Sequence, residues 1–260
     1  LEQLRRDGVH VIEPEQGELA SGLVGKGRMA EPSHIVKEVD ALLGSATLAG
    51  RRFVVTAGAT IEAIDPVRYI SNHSTGKMGY AVAGELAARG AAVTLVSGRT
   101  NLATPEGVDR VDVVSAEDMY NATVKAFEGA DGAIMCAAVA DYTPVTVADE
   151  KIKKGDGDMS IELRRTKDIA AELGREKGGR LLVGFALETE TGAANAREKL
   201  DRKNLDFIVL NSLRDAGAGF GCDTNVVSLI DRVSCVELPL MSKREVAARI
   251  VDRMEKLLNS

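Results

Sequence analysis

From Phe53 onward the chain alternates between short, uninterrupted apolar runs and stretches whose apolar residues recur at helical spacing. The runs are "FVVTAG" (53–58), "AVTLVSG" (92–98), "VDVVS" (111–115), "AIMCAAVA" (133–140), "LLVGFAL" (181–187) and "FIVLNS" (207–212). An apolar run without alternation reads as a strand covered on both faces. Helical spacing occupies the segments from about Gly76 to Arg89, 116–128, 168–176 and 192–203, and "KREVAARIVDRMEKLL" closes the chain as an amphipathic helix. This order predicts an α/β fold: a Rossmann-like, doubly wound, mainly parallel sheet with helices on both faces. Two sections interrupt it. Residues 224–239 read as a hairpin, and residues 143–166 as a long loop followed by a strand.

The first 45 residues follow another pattern. "GELASGLVGKGRMAEP" is dense in small residues and reads as a loop. "SHIVKEVDALLG" then sets Ile35, Val36, Val39, Leu42 and Leu43 at helical spacing, with Ser33 as a cap and Gly44 as a stop. A short linker, "SATLAG", leads to the α/β region, so the expected division is 1–45 and 46–260.

Composition narrows the function. With 33 Lys+Arg against 39 Asp+Glu the net charge is -6, the wrong sign for a general nucleic-acid binder. No apolar run nears the ~20 residues of a membrane span, and no export signal opens the chain, so a soluble cytoplasmic protein is expected. Cys136, Cys222 and Cys235 lack CxxC spacing, and His10, His34 and His73 lie far apart, so neither a disulfide framework nor a zinc site is suggested. Phosphate chemistry on this acidic chain would need local clusters of positive charge.

Candidate clusters exist. "TAGATIEAIDPVRYISNHSTGKMG" (56–79) joins the first strand to the first helix through a loop far longer than the usual ~2–6 residues. It ends with Ser74, Thr75, Gly76, Lys77 and Gly79 at the helix start, where free N–H groups, hydroxyls and the positive dipole end converge on an anion site. A glycine-rich helix entry without a ligand is the plainer alternative. The loop has neither GxGxxG nor GxxxxGK[ST], which disfavours a standard dinucleotide site or P-loop. "CAAVADYTP" (136–144) ends a buried strand in small residues followed by Asp141, either a ligand-facing acid or a turn residue. "EKIKK", with Lys151, Lys153 and Lys154, is either a solvated charge run or a loop able to close over phosphates. Lys199 and Lys203, four apart on one helix face, suit an anion between them or simply a solvated face. Phe185 at a strand end suits core packing or stacking on a base.

Taken in order, "TAGATIEAIDPVRYISNHSTGKMG", "AAVADY", "EKIKK", "VGFALET" and "KNLDFIVLN" resemble phosphopantothenoylcysteine synthetase, the ligase of coenzyme A biosynthesis, over about residues 50–258. The lysine-bearing blocks resemble its bacterial CTP-using type. The opening residues resemble the carboxyl-terminal end of the flavin-dependent decarboxylase to which this synthetase is often fused. Ser21 stands where that enzyme has a cysteine, and the FMN-binding body is missing, so no decarboxylase activity is expected.

The resemblance implies that 4'-phosphopantothenate and CTP, with Mg²⁺, form an acyl cytidylate and pyrophosphate, and that L-cysteine then displaces CMP. It places Gly58, Ser74, Gly76 and Gly79 around the triphosphate. Asn72 would serve conversion of the acyl cytidylate to amide, and Lys151 its formation. Ala137, Ala138 and Asp141, with Asn72, would line the phosphopantothenate site, Arg68 reaching in from the second subunit of a homodimer. Met135, Cys136, Ala137, Asp141, Lys151, Phe185, Lys199, Lys203, Asn211 and the stretch Lys167, Asp168, Ile169, Ala170 would hold the nucleotide; the family often has proline where Lys167 stands. Metal ligands are not assigned. The rival readings are a non-catalytic nucleotide-binding module and an NAD(P)-dependent oxidoreductase, the latter disfavoured by the missing glycine fingerprint and YxxxK pair.

Overall fold

The structure, a computed structural model, describes residues 1–18, 24–43, 46–154, 157–188, 192–212, 219 and 221–259. They form two compact units, Leu1–Ala46 and Thr47–Ser260. The first contains α1 (Glu2–Arg6), the antiparallel pair β1 (Glu15–Glu18) and β2 (Val24–Arg28), and α2 (Pro32–Leu43). Of the small-residue segment expected as a loop, residues 17–18 and 24–28 instead belong to this strand pair. Ser33 lies inside α2 rather than capping it, because the helix already starts at Pro32, whose missing N–H costs nothing in a first turn. Ser21 and Gly44 fall outside the described residues.

The second unit is built on an eight-stranded sheet in the order β14-β13-β12-β11-β8-β3-β6-β7. Its parallel part comprises β3 (Arg52–Ala57), β6 (Ala92–Ser97), β7 (Val108–Asp112), β8 (Gly132–Met135), β11 (Leu181–Glu188) and β12 (Phe207–Ser212). The hairpin β13 (Thr224–Ile230) and β14 (Cys235–Ser242) extends it antiparallel to β12. Strand alternation explains why apolar runs were needed: Phe53 and Val55 face the layer of α3 (Lys77–Ala88) and α7 (Lys243–Leu258), while Val54 faces the layer of α4 (Ala116–Phe127), α5 (Ile169–Glu176) and α6 (Gly192–Arg202). Ser115 and Ser242 each form a capping box, with Asp118 and Glu245, that fixes where α4 and α7 begin.

Three boundaries differ from the pattern reading. The strand expected at 111–115 is Val108–Asp112, an edge strand whose Asp109, Asp112 and partly exposed Arg110 break up the apolar signal, while Val113 turns in beneath α4. The strand expected at 133–140 leaves the sheet after Met135. The long loop after β3 contains a small hairpin, β4 (Ile61–Ala63) and β5 (Tyr69–Ser71), and 143–166 contains a second pair, β9 (Tyr142–Pro144) and β10 (Leu163–Arg165). Three-residue strands carry too little periodicity to read from sequence.

The chain departs to one side of the sheet after β3 and returns to the other side at β8, so the carboxyl ends of these neighbours form the switch point of a doubly wound fold. Ligands bind there because the loops of the two strands splay apart.

Candidate active site

At the switch point the segment 136–141 leaves the strand ladder and is laced to the end of β3 and the loop that follows it. The Ala137 N–H donates to Thr56 Oγ1 (3.2 Å), the Ala138 N–H to the Gly58 carbonyl (2.9 Å) and the Ala140 N–H to Thr60 Oγ1 (2.9 Å). In return Thr60 N–H and the Asn72 side-chain amide both donate to the Ala138 carbonyl, at 3.3 and 3.1 Å. Side chains larger than alanine would fill the space in front of this backbone, which is why the segment is small. Gly58, at φ +77°, makes the bend that starts it and packs on Gly98 and Gly76. Gly98, which the sequence reading did not single out, supports this bend from behind: a Cβ there would stand 2.3 Å from the Ala59 carbonyl oxygen.

Two adjoining cavities open at this point. One, of 310 Å³, is bounded by Asn72 to Gly79, Cys136 to Ala138, Phe185 to Leu187, Asn211, Gly219, Asn225 and Lys243. The other, of 860 Å³, is bounded by Met135, Ala137 to Val139, Asp141, Arg165 to Ala170, Gly184 to Leu187, Lys199, Arg202 and Lys203 among others. They share Ala137, Ala138 and Phe185 to Leu187, so the Phe185 strand end and the alanine pair form the junction between two lobes.

The smaller lobe receives the amino-terminal end of α3. Gly76 caps that helix in the left-handed region, and its N–H meets Ser74 Oγ at 3.3 Å. The next N–H groups, those of Lys77 to Gly79, have no partner within the helix and belong to residues that line the lobe, the kind of helix start that holds phosphate. Gly79 also lines the lobe but has a packing duty, since a Cβ there would come within 2.6 Å of Ala57 Cβ. Asn211 sits beside Asn225, whose Nδ2 donates to Asn211 Oδ1 at 3.1 Å. Among its described residues this lobe carries Lys77 and Lys243 and no carboxylate.

The larger lobe carries mixed charge. Lys203 Nζ donates to Asp168 Oδ1 (2.9 Å), and the same oxygen accepts the Ala171 N–H as the cap of α5. Burial would raise the Asp168 carboxyl, but Lys203 and the cap N–H outweigh it and hold the acid below its ordinary range. Lys167 pairs with Glu117 (2.7 Å) and lies over the Tyr120 ring (4.4 Å from its centroid). Cys136, at the wall of the smaller lobe, is pushed up to about 12 by burial and stays a thiol, so it is no nucleophile at neutral pH.

Most of the expected site residues thus converge, divided between two lobes: Asn72, Ser74, Gly76, Gly79, Cys136 and Asn211 at the smaller, Met135, Asp141, Lys167 to Ala170, Lys199 and Lys203 at the larger, and Ala137, Ala138 and Phe185 between them. Gly58, Arg68 and Lys151 line neither lobe, Gly58 lying behind the smaller one against Gly76. Arg68 is clamped by the buried Asp65, which also accepts the N–H groups of Val67, Arg68 and Ile152. The Arg68 guanidinium further donates to the Ile152 carbonyl at 3.0 Å, tying the lysine loop to the β4–β5 turn. Asp65 was not singled out from sequence, although an aspartate before proline in a turn is a usual Asx-turn signal.

The Arg68 bond and these N–H groups hold the Asp65 carboxyl far below its ordinary range. A group depressed in the folded state contributes stability above its unfolded value of about 3.9, lost as pH falls through the folded value. Asp65→Asn is therefore expected to lower Tm at pH 7, with the gap from wild type narrowing as pH is taken below about 4. Thermal unfolding of both proteins from pH 7 to 3 checks this; a gap that does not depend on pH would show that the carboxylate charge contributes nothing.

The family model for the DNA/pantothenate metabolism flavoprotein C-terminal domain matches residues 48–258. The chain belongs to this family. The chain is 48% identical to the coenzyme A biosynthesis bifunctional protein CoaBC of Bacillus subtilis strain 168, over 98% of the chain and 64% of that protein. It is 42% identical to CoaBC of Escherichia coli K12, again over 98% of the chain and 64% of the relative. A relative from an unknown prokaryotic organism, named cysteine/cysteine sulfinic acid decarboxylase, is 52% identical over 98% of the chain and 74% of its own length. The chain thus spans about two thirds of the CoaBC proteins it matches. A crystal structure of a CoaBC C-terminal domain shares 42% identity with a TM-score of 0.71, covering 83% of this chain and 99% of that one. A Cab2 mutant in complex with phosphopantothenate-cysteine, 16% identical with a TM-score of 0.67 over 88% of this chain and 96% of its own, shares the fold. Among the described residues no helix is long and apolar enough to cross a membrane.

Proposed function

We propose that the chain joins 4'-phosphopantothenate to L-cysteine with CTP, and that the two lobes divide the work. The observation that carries this is a glycine- and hydroxyl-rich helix start at α3 lining one lobe that adjoins, at Ala137–Ala138, a second lobe of 860 Å³, room enough for a nucleoside. Family membership and the CoaBC relatives support the same reaction. A carboxylate oxygen of phosphopantothenate attacks the α-phosphorus of CTP, the Pα–O–Pβ bond breaks, and pyrophosphate leaves with the electron pair. The cysteine amine then attacks the acyl carbon, loses a proton and expels CMP. Both steps concentrate negative charge, so fixed donors and cations suffice and no side-chain nucleophile is required.

Mg²⁺ in this reading travels with the nucleotide. The described residues hold no cluster of three or more metal-ligating side chains, whereas Asp141, beside the junction of the lobes, fits as a single protein ligand to an ion otherwise held by phosphates. Such an ion supplies charge neutralisation on the triphosphate.

The reading includes a homodimer. Val67, Tyr69, Tyr142, Val145, Val147 and Leu163 are exposed on or beside the two small strand pairs, whose flanking loops are joined by the Ala148 N–H bond to the Ile64 carbonyl (3.0 Å). A second subunit docking there would cover this apolar face and bring Arg68 to the neighbouring lobe, since Arg68 lines none in its own. The unit 1–46 is, in the same reading, the end of a decarboxylase domain that carries FMN in longer relatives, and the protein works in the cytoplasm.

Pyrophosphate release with phosphopantothenate, Mg²⁺ and either CTP or ATP, with and without cysteine, tests the proposal. CTP-dependent release and a cysteine adduct by mass spectrometry are expected, with no carbon dioxide from cysteine alone. Folded protein that releases pyrophosphate from neither nucleotide would overturn it.

A further inference from the structure

Lys243 is the first residue of α7 and is only 8% exposed. Both circumstances work against its charge. The positive end of a helix repels a cation, and burial penalises the charged form. Its ammonium donates to two neutral backbone carbonyls, those of Gly219 (3.1 Å) and Cys222. Lys77 approaches the same stretch of chain, donating to the Gly221 carbonyl (2.8 Å) and to Asp223 Oδ1 (2.7 Å). The Asp223 side chain is 89% exposed and spends its charge on Lys77 in solvent. Burial first, and Lys77 second, lower the affinity of Lys243 for its proton.

Lys77 and Lys243 therefore both line a lobe whose described lining holds no acid, together with the start of α3; the acid nearest them, Asp223, lines a separate hollow beside it. Pinning a loop to two carbonyls explains a donor at this place but not a charged one. An anion in the lobe explains both. Its position along the nucleotide follows from the junction: with the nucleoside in the larger lobe, the α-phosphate lies at Ala137–Ala138, and the β- and γ-phosphates extend toward Lys77 and Lys243.

Resting on the ligase reading above, we infer that Lys243, seconded by Lys77, grips the β- and γ-phosphates of the nucleotide and neutralises the pyrophosphate as it leaves. When the bond from Pα to the bridging oxygen breaks, its electron pair stays on the departing pyrophosphate, which gains one negative charge within reach of the Lys243 ammonium. No proton need move. A cation preorganised at a developing charge is worth most in such a water-poor place.

Binding of inorganic pyrophosphate to the full chain, by calorimetry, separates this from a structural lysine. Lys243→Gln is expected to weaken pyrophosphate binding by about tenfold or more and to slow CTP-dependent pyrophosphate release by about a hundredfold. Lys243→Arg restores most of the binding, and CMP, which occupies the other lobe, binds as in wild type. Unchanged pyrophosphate binding in a folded Lys243→Gln protein overturns the inference. Should that variant fail to fold, reductive methylation of the wild type decides: pyrophosphate must shield Lys243 from modification, and equal labelling with and without it overturns the inference. Shielding in a protein that never turns over CTP would uphold the anion site and remove the ligase reading, so the two fail separately.

Discussion

Asn72→Ala is expected to keep releasing pyrophosphate from CTP and phosphopantothenate within about threefold of wild type while forming amide about a hundredfold more slowly, so that acyl cytidylate accumulates. The geometry gives the reason. A carbonyl only accepts hydrogen bonds, so the bond to the Ala138 oxygen requires the amide nitrogen of Asn72 to face the alanine backbone. Asn72 lines the smaller lobe beside the junction, and in the proposed reaction the acyl group of the intermediate is held there. The first step draws on the phosphate cradle, which Asn72 does not form; the second needs the acyl carbonyl held and polarised. Quenched-flow sampling with mass spectrometry of the acyl cytidylate checks this. If pyrophosphate release and amide formation fall together, Asn72 belongs to nucleotide binding instead.

How far the sequence foretold this arrangement depends on how many residues carried each signal. The parallel sheet was legible because "FVVTAG", "LLVGFAL" and "FIVLNS" are buried on both faces, and burial on both faces leaves no polar alternation. The charged edge strand Val108–Asp112 was misplaced for the same reason in reverse: solvent on its outer side removed the run that marks an inner strand. The helix start that borders the smaller lobe was legible in "SNHSTGKMG", since glycine and hydroxyl residues at a helix start have a local meaning. What the sequence left hidden are contacts between residues distant along the chain. Gly98 must be small because Ala59 crosses it, and Lys243 belongs to the site because the α7 start meets the wall formed from residues 72–79. In sequence Lys243 is one basic residue among several in a terminal amphipathic helix. Even the capping serine that precedes it signals only where a helix begins. The departure of 136–140 from the sheet was hidden too, because a small apolar segment bonded to a neighbouring loop has the same composition as a strand end.

Lys151→Gln is expected to produce the opposite kinetic pattern to the asparagine variant: pyrophosphate release falls by about two orders of magnitude or more, and amide formation falls with it because no acyl cytidylate is made. The lysine is exposed and lines neither lobe, yet its neighbour Ile152 is fixed at both its N–H and its carbonyl by the Asp65–Arg68 clamp. A loop that carries three lysines within four residues, 151–154, on an acidic chain and is held at one point by the arginine paired with a buried aspartate has a defined pivot. Delivery of Lys151 to the triphosphate then requires movement about that pivot or an approach from a neighbouring subunit. Movement that completes only as the reaction proceeds makes the ammonium available in the transition state and not in the free enzyme, so kcat is expected to fall more than KM for CTP rises. Lys151→Arg keeps the charge and should recover part of the rate. Steady-state pyrophosphate release over a range of CTP concentrations separates the cases. A rise in KM at unchanged kcat would make Lys151 a ground-state binding contact, and a wild-type rate in the glutamine variant would return the lysine loop to the solvated charge run that its composition alone describes.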